Sequence, residues 1–360
     1  MFNGCFSCRI SYVVGRIGKS RNQFSRQPPG GELPTLSHVR SHESPTPARA
    51  ETAGQSLGWS LPGIRGRIGA LVEIAAANQS TISLEELRGL VSPGFPNDAA
   101  LIRFLETDER LARRITVVGK EVAMRGREDL AAARASQRDL THARLGQADS
   151  FLDLLSKVCP WVDLAGVSGS TAYAGAKPDD DIDFFLVTAE RRSWISLLLA
   201  MATARLGRLR SRTAPHYCFN RIIELEECVQ TFRDSRDALL AREALNLVVL
   251  RGNDVYWELL TSAPWIGDQF PELYETRRSA SRTTCRDTPQ SLGLLGDALN
   301  AAAFMCLAPY LWLAGLLRNV GLKRAGRDKE CFRTIIRPDS YATESTLYDE
   351  LREAYRQAFA

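Results

Sequence analysis

Two carboxylates with one residue between them, Asp181 and Asp183, stand at the head of an apolar run, Ile182 to Val187. Alternate side chains of a strand share a face, so the two acids project together while Ile182 turns to the core. Like charges held this close repel. The arrangement makes chemical sense around a divalent cation, since Mg²⁺ takes a few carboxylates together with substrate phosphates. Upstream, a second apolar strand (Leu164 to Val167) runs into Gly169-Ser170. The glycine permits close backbone approach, and the serine offers a hydroxyl and an N–H where a phosphate can rest. The plain alternative is an acidic surface loop, Asp179 to Asp181, capping a buried strand. It leaves Asp183, inside the apolar run, unexplained.

The order of these residues is Val167, then Gly169-Ser170, residues 171 to 180, and Asp181-Ile182-Asp183-Phe184. It resembles the signature of the nucleotidyltransferase superfamily, whose fold is shared with DNA polymerase beta. One departure is that Ser168 separates the hydrophobic residue from Gly169. Over residues 60 to 350 the chain resembles, more loosely, prokaryotic proteins described only by a nucleotidyltransferase domain. The resemblance implies an α+β fold: a mixed nucleotidyltransferase-type sheet with helices, preceded by a winged-helix-like domain and followed by a helical lobe. It implies an enzyme that moves a nucleoside monophosphate from an NTP such as ATP to an acceptor, releasing pyrophosphate. Gly169 and Ser170 would bind the nucleotide phosphates. Asp181 and Asp183 would be catalytic and hold metal, two Mg²⁺ ions or Mn²⁺ in their place. Superfamily members often carry a third carboxylate on a neighbouring strand. Tyr217 to Leu225 reads as such a strand, and Glu224 is its nearest candidate for a third catalytic carboxylate, with Asn220 the other polar residue on that side. The alternative reading is a catalytically silent protein that binds nucleotide or a partner and uses the winged-helix-like region as an interaction or DNA-binding arm.

At 360 residues, 44% hydrophobic and 24% charged, the chain has the composition of a soluble globular protein of two or three domains. A net charge of +4 accommodates anionic substrates without arguing for a protein that coats nucleic acid. The eight cysteines are scattered, several in apolar patterns, and read as free thiols of a reducing compartment, hence a cytoplasmic location. Cys5-x-x-Cys8 lacks the second half of a zinc site, and four histidines leave little for a histidine-based one.

Residues 1–57, rich in Pro, Ser, Gly and Arg, read as a disordered tail. Residues 58–126 read as the winged-helix-like domain: a helix from Ile64, a second opened by the capping box Ser83–Glu86, a third capped by Asn97, then a hairpin around Gly119-Lys120. The third helix carries Asp98, Glu106, Asp108 and Glu109, so nucleic acid is admitted as a partner but not favoured. Residues 127–233 form the catalytic domain with its leading helix, 127 to 158, whose trailing apolar half packs beneath the sheet. The cluster Arg205, Arg208, Arg210 and Arg212 reads as a solvated helix end. Residues 234–360 read as the helical C-terminal lobe, with one helix over Ser235 to Leu250 and a terminal helix opened by Ser345. Ala301 to Leu317 carries no charge, yet Pro309 and Gly315 interrupt it. It is expected as a buried helix rather than a membrane span.

Overall fold

The computed structural model describes residues 63–92, 94–211, 214–280, 293–327 and 331–359. The tail expected over residues 1–57, with Cys5 and Cys8, lies outside them, as does Arg212. The fold is α+β. Helix α1 (Ile64–Ala77) is followed by β1 (Ile82–Ser83) and α2 (Leu84–Leu90), which Ser83 caps by accepting the Glu86 N–H at 3.2 Å. Next come α3 (Asp98–Thr107), capped by Asn97 through the Ala100 N–H at 2.9 Å, and the short α4 (Glu109–Ala112). Strands β2 (Ile115–Val118) and β3 (Glu121–Met124) then form the expected hairpin, turned by Gly119 at φ +64°. β1 pairs with the other side of β3.

Helix α5 (Asp129–Val158) leads to β4 (Val162–Ser168), the single-turn α6 (Gly169–Ala172), β5 (Ile182–Thr188), α7 (Ser193–Arg210), β6 (Tyr217–Glu224) and α8 (Leu225–Asp234). The remainder is α9 (Ala238–Asn246), β7 (Val248–Arg251), α10 (Asn253–Ser262), α11 (Trp265–Gln269), α12 (Pro271–Ala280), α13 (Gly293–Arg324), β8 (Phe332–Arg337), β9 (Ser340–Ser345) and α14 (Thr346–Phe359). Six strands form one mixed sheet in the order β7-β4-β5-β6-β9-β8. Only β5 and β6 run parallel, joined through α7.

The strand period sorts the two faces of this sheet. Ile182, Phe184 and Leu186 point to a core with Phe151 and Leu155 of α5 and Trp194 of α7. Leu154 and Val158, expected in that packing, are exposed. Val187 and Phe185 point the other way, into a core shared by the C-terminal helices and the N-terminal helices, from Leu71 and Leu87 through Leu239 and Leu259 to Tyr355. The terminal helix α14 begins as expected, with Ser345 accepting the Leu347 N–H at 3.2 Å. It packs on α1, where the Arg67 guanidinium lies 5.3 Å from the Phe359 ring centre.

Three expectations need correction. The single helix over Ser235 to Leu250 is instead α9 and then β7. The β-branched Val248 and Val249 pair beside β4, where Gly166 has no Cβ to obstruct Leu247. The segment between α13 and α14 forms the hairpin β8–β9, turned at Pro338-Asp339, so residues 234–360 add three strands to the sheet and are not wholly helical. Finally, α13 is not a buried helix. Gly296, Asn300, Ala303, Leu307, Leu311 and Gly315 bury one face against α7 and β8, whereas Met305, Trp312, Leu313 and Leu317 are each at least half exposed. By length and apolar composition α13 could cross a membrane. A segment apolar on all sides has no periodicity to say which face is covered.

Candidate functional site

The head of β5 and the end of β4 meet at the site. Asp183 sits in register with Ser168, the last residue of β4. The chain then turns sharply at Gly169, with φ +65°. A Cβ there would lie 2.3 Å from Asp183 Oδ2, so only glycine lets the turn lie on the carboxylate. Asp183 is 3% exposed and Asp181 8%. Asn220 Nδ2 donates to Asp183 Oδ1 at 2.6 Å, and His216 Nδ1 lies 4.0 Å from Asp181 Oδ1. Burial, and next the charge of Asp181, push the Asp183 carboxyl up to about 8. Ser170 is buried beside Gly169, and its carbonyl accepts the Gly175 N–H at 2.8 Å. The hydroxyl of Thr171, in the same turn, is buried with no hydrogen-bond partner among the described residues.

The loop between the Gly-Ser turn and Asp181 is fastened by α5. Arg134 donates to the carbonyls of Tyr173 and Ala174 at 2.8 and 2.9 Å. Thr141 Oγ1 accepts the Ala176 N–H at 3.4 Å. Arg144 donates to the carbonyls of Lys177 and Pro178 at 2.7 and 3.1 Å and also to that of Asp180. Arg134, Gln137, Thr141, Arg144 and Ala148 are buried at alternating spacings of three and four along the half of α5 that composition marks as polar. That spacing is a sequence signal for these positioning residues, and the charge of the segment hides it.

Gly169, Ser170, Asp181 and Asp183 are thus brought together, and Glu224 is not. Because β6 runs parallel to β5, Tyr217 lies beside Ile182 and Glu224 beside Thr188. Glu224 is five residues along the sheet from Asp183, roughly 16 Å at strand rise. It accepts from Ser193 Oγ at 3.1 Å, and burial raises its pKa. The expectation that Glu224 is the third catalytic carboxylate is corrected accordingly. Beside Asp183, β6 offers the amide of Asn220. A carboxylate that the sequence reading passed over, Glu243 of α9, accepts from the Tyr173 hydroxyl at 3.0 Å, and burial raises its pKa as well.

Among the described residues no three His, Cys, Asp or Glu side chains are grouped for a metal ion. The Asp181–Asp183 pair nevertheless fits a hard divalent cation by its donor chemistry, two carboxylates buried at the head of one strand. Compared with known proteins, the chain matches no family model, no curated protein and no solved structure.

Proposed function

We propose that this chain moves a nucleoside monophosphate from an NTP to an acceptor, releasing pyrophosphate, with Mg²⁺ or Mn²⁺ held by Asp181 and Asp183. The observation that carries the reading is Gly169 lying directly on the Asp183 carboxylate, which joins a tight Gly-Ser turn to a buried acidic pair. The cation supplies charge neutralisation at the attacking and leaving oxygens. Asp181 and Asp183 present oxygens already removed from bulk water, and Asn220 fixes the orientation of Asp183. Gly169 and Ser170 take the nucleotide phosphates through backbone N–H groups and the serine hydroxyl. Arg134 and Arg144 hold the intervening loop at a set distance from both. Catalysis of this kind is mostly positioning and electrostatics.

The fold that goes with this reading is the nucleotidyltransferase fold, with a winged-helix-like module before it. The acids at the head of β5, between antiparallel β4 and parallel β6, support it. The packing of α1 against α14 favours a structural or interaction role for the module over a nucleic-acid arm. The test is pyrophosphate release from each NTP with Mg²⁺ and a mixed cell extract as acceptor, for the wild type beside an Asp181→Ala, Asp183→Ala double variant. Release by the wild type alone is the expected result.

Asn220, standing where a third carboxylate is expected, favours a second reading: a catalytically silent protein that binds nucleotide or a partner. Titration calorimetry with each NTP, with and without Mg²⁺, separates the two. Tight, metal-dependent binding without pyrophosphate release supports the silent protein.

A further inference from the structure

On the face of the sheet that carries Asp183, a cavity of about 150 Å³ lies between the strands and helices α9 and α14. Ser168 and Asn220 both line it, so it opens one residue from Gly169 and one hydrogen bond from Asp183. Its other walls are largely apolar, with Phe185, Leu240 and Leu247 among them. A cavity of this volume and lining holds a group about the size of one aromatic ring.

Glu243 lines the same cavity. Its position follows from its neighbours. Leu247 occupies the space that a Cβ on Gly166 would take. Glu243 is one helical turn before Leu247, a rise of about 5.4 Å, which matches roughly two residues of strand. The Tyr173 hydroxyl bonded to Glu243 gives the direction, toward the Gly-Ser turn. Glu243 and Ser168, the register partner of Asp183, thus line one cavity.

We propose that this cavity is the acceptor pocket, that the acceptor is an alcohol bearing a ring-sized apolar group, and that Glu243 is the base that takes the hydroxyl proton. The inference rests on the nucleotidyl-transfer reading above. In the step, the acceptor oxygen forms a bond to the α-phosphorus of the NTP. The bond from that phosphorus to the oxygen bridging to the β-phosphorus breaks, pyrophosphate leaves with the electron pair, and the hydroxyl proton passes to the Glu243 carboxylate. Glu243 supplies from α9 the basic oxygen that β6 lacks beside Asp183, and its raised pKa moves it toward the range where a base works near neutrality.

The test uses the full chain, with benzyl alcohol as the probe and glycerol as the polar control, followed by ligand-observed NMR. Benzyl alcohol is expected to bind and glycerol not to. Ala244→Phe, which fills the cavity, should weaken the probe at least tenfold. Leu351→Trp, another lining position, should do the same and covers the case in which the first variant does not fold. Unchanged binding to either folded variant overturns the cavity assignment. The α,β-methylene analogue of ATP should bind alongside the probe; displacement of the probe would give the cavity to the nucleobase and overturn the acceptor role. In the pyrophosphate assay benzyl alcohol should stimulate the wild type. Glu243→Gln should lower the stimulated rate about 10²-fold or more and flatten the acid limb of its pH profile. A wild-type rate and profile in that variant sinks the role of Glu243 and leaves Asp181 and Asp183 standing. No release by the wild type with any NTP removes the transfer reading itself, and the acceptor pocket with it.

Discussion

Glu121 and Asp183 are both buried carboxylates near the start of a strand, and their surroundings differ in kind. Glu121, in the N-terminal module, accepts from Thr81 Oγ1 at 2.7 Å and from Arg138, with Arg134 Nε at 3.8 Å. Its charge is answered within the protein. Asp183 has an amide on one oxygen and a second acid beside it, and its carboxyl is pushed up to about 8. A buried acid surrounded by cations fastens one element to another. A buried acid beside a second acid holds its proton until a cation arrives to balance the charge.

The comparison can be broken most decisively at the acids. Replacing both Asp181 and Asp183 with alanine should lower pyrophosphate release by about 10³-fold or more, while circular dichroism shows no loss of thermal stability. Undiminished release would place Asp183 in the same structural class as Glu121. The opposite pattern is expected for Glu121→Ala, which leaves buried Arg134 without its carboxylate. Urea unfolding should show a loss of about 3–5 kcal/mol.

A pH series sharpens the contrast further. The folded state holds the Asp183 proton up to about 8, whereas an ordinary carboxyl releases it near 3.8. Between those values the folded state binds more protons than the unfolded one. This stabilising contribution is therefore complete below 3.8 and lost as pH rises to about 8. Metal-free wild type should show a melting temperature that declines by several degrees over that window. Asp183→Asn should flatten the decline, and Mg²⁺ added at pH 8 should reverse it in the wild type alone. A wild-type profile unaffected by Asp183→Asn would refute the account of a buried acidic pair that holds a proton. The smallest effect is expected at Arg144→Ala, which removes a charged donor from three loop carbonyls at a cost of about 1–3 kcal/mol. The KM for NTP should rise, and Arg144→Lys should not restore it, because an ammonium lacks the planar fork. Restoration by lysine would mean that charge alone, and not the bridging geometry, holds the loop.

Much of this site was legible because it depends on local rules. Strand alternation puts Asp181 and Asp183 on one face, and a glycine before a serine at a strand end marks a close turn. The caps at Ser83, Asn97 and Ser345 were legible for the same reason, since each is a side chain bonding to a backbone N–H within a few residues. The rest depended on pairings between segments far apart in the chain. Glu224 was misjudged because a strand's sequence does not say whether it runs parallel to its neighbour, and that direction decides which of its ends meets Asp183. Glu243 was overlooked because its nearness to the site comes from the seating of the α9 end on Gly166, more than seventy residues earlier. The β8–β9 hairpin was hidden by the arginines and threonine of the partly exposed β8, and the open face of α13 by apolarity with no period.

The stripe on α5 also limits how relatives of this chain can differ from it. Arg134 and Arg144 grip the two ends of one loop from positions ten residues apart, roughly 15 Å along the helix. Phe151 and Leu155, farther along the same helix, seat it against the sheet. One residue inserted between the arginines would turn everything beyond it by about 100°, taking Arg144 off the loop and Phe151 off the sheet together. Exposed positions such as Ala135 and His142 can vary in spelling, but the metre of the helix is fixed. Lineages descended from such an ancestor should carry many substitutions along α5 and confine their gains and losses of length to the turns on either side of it.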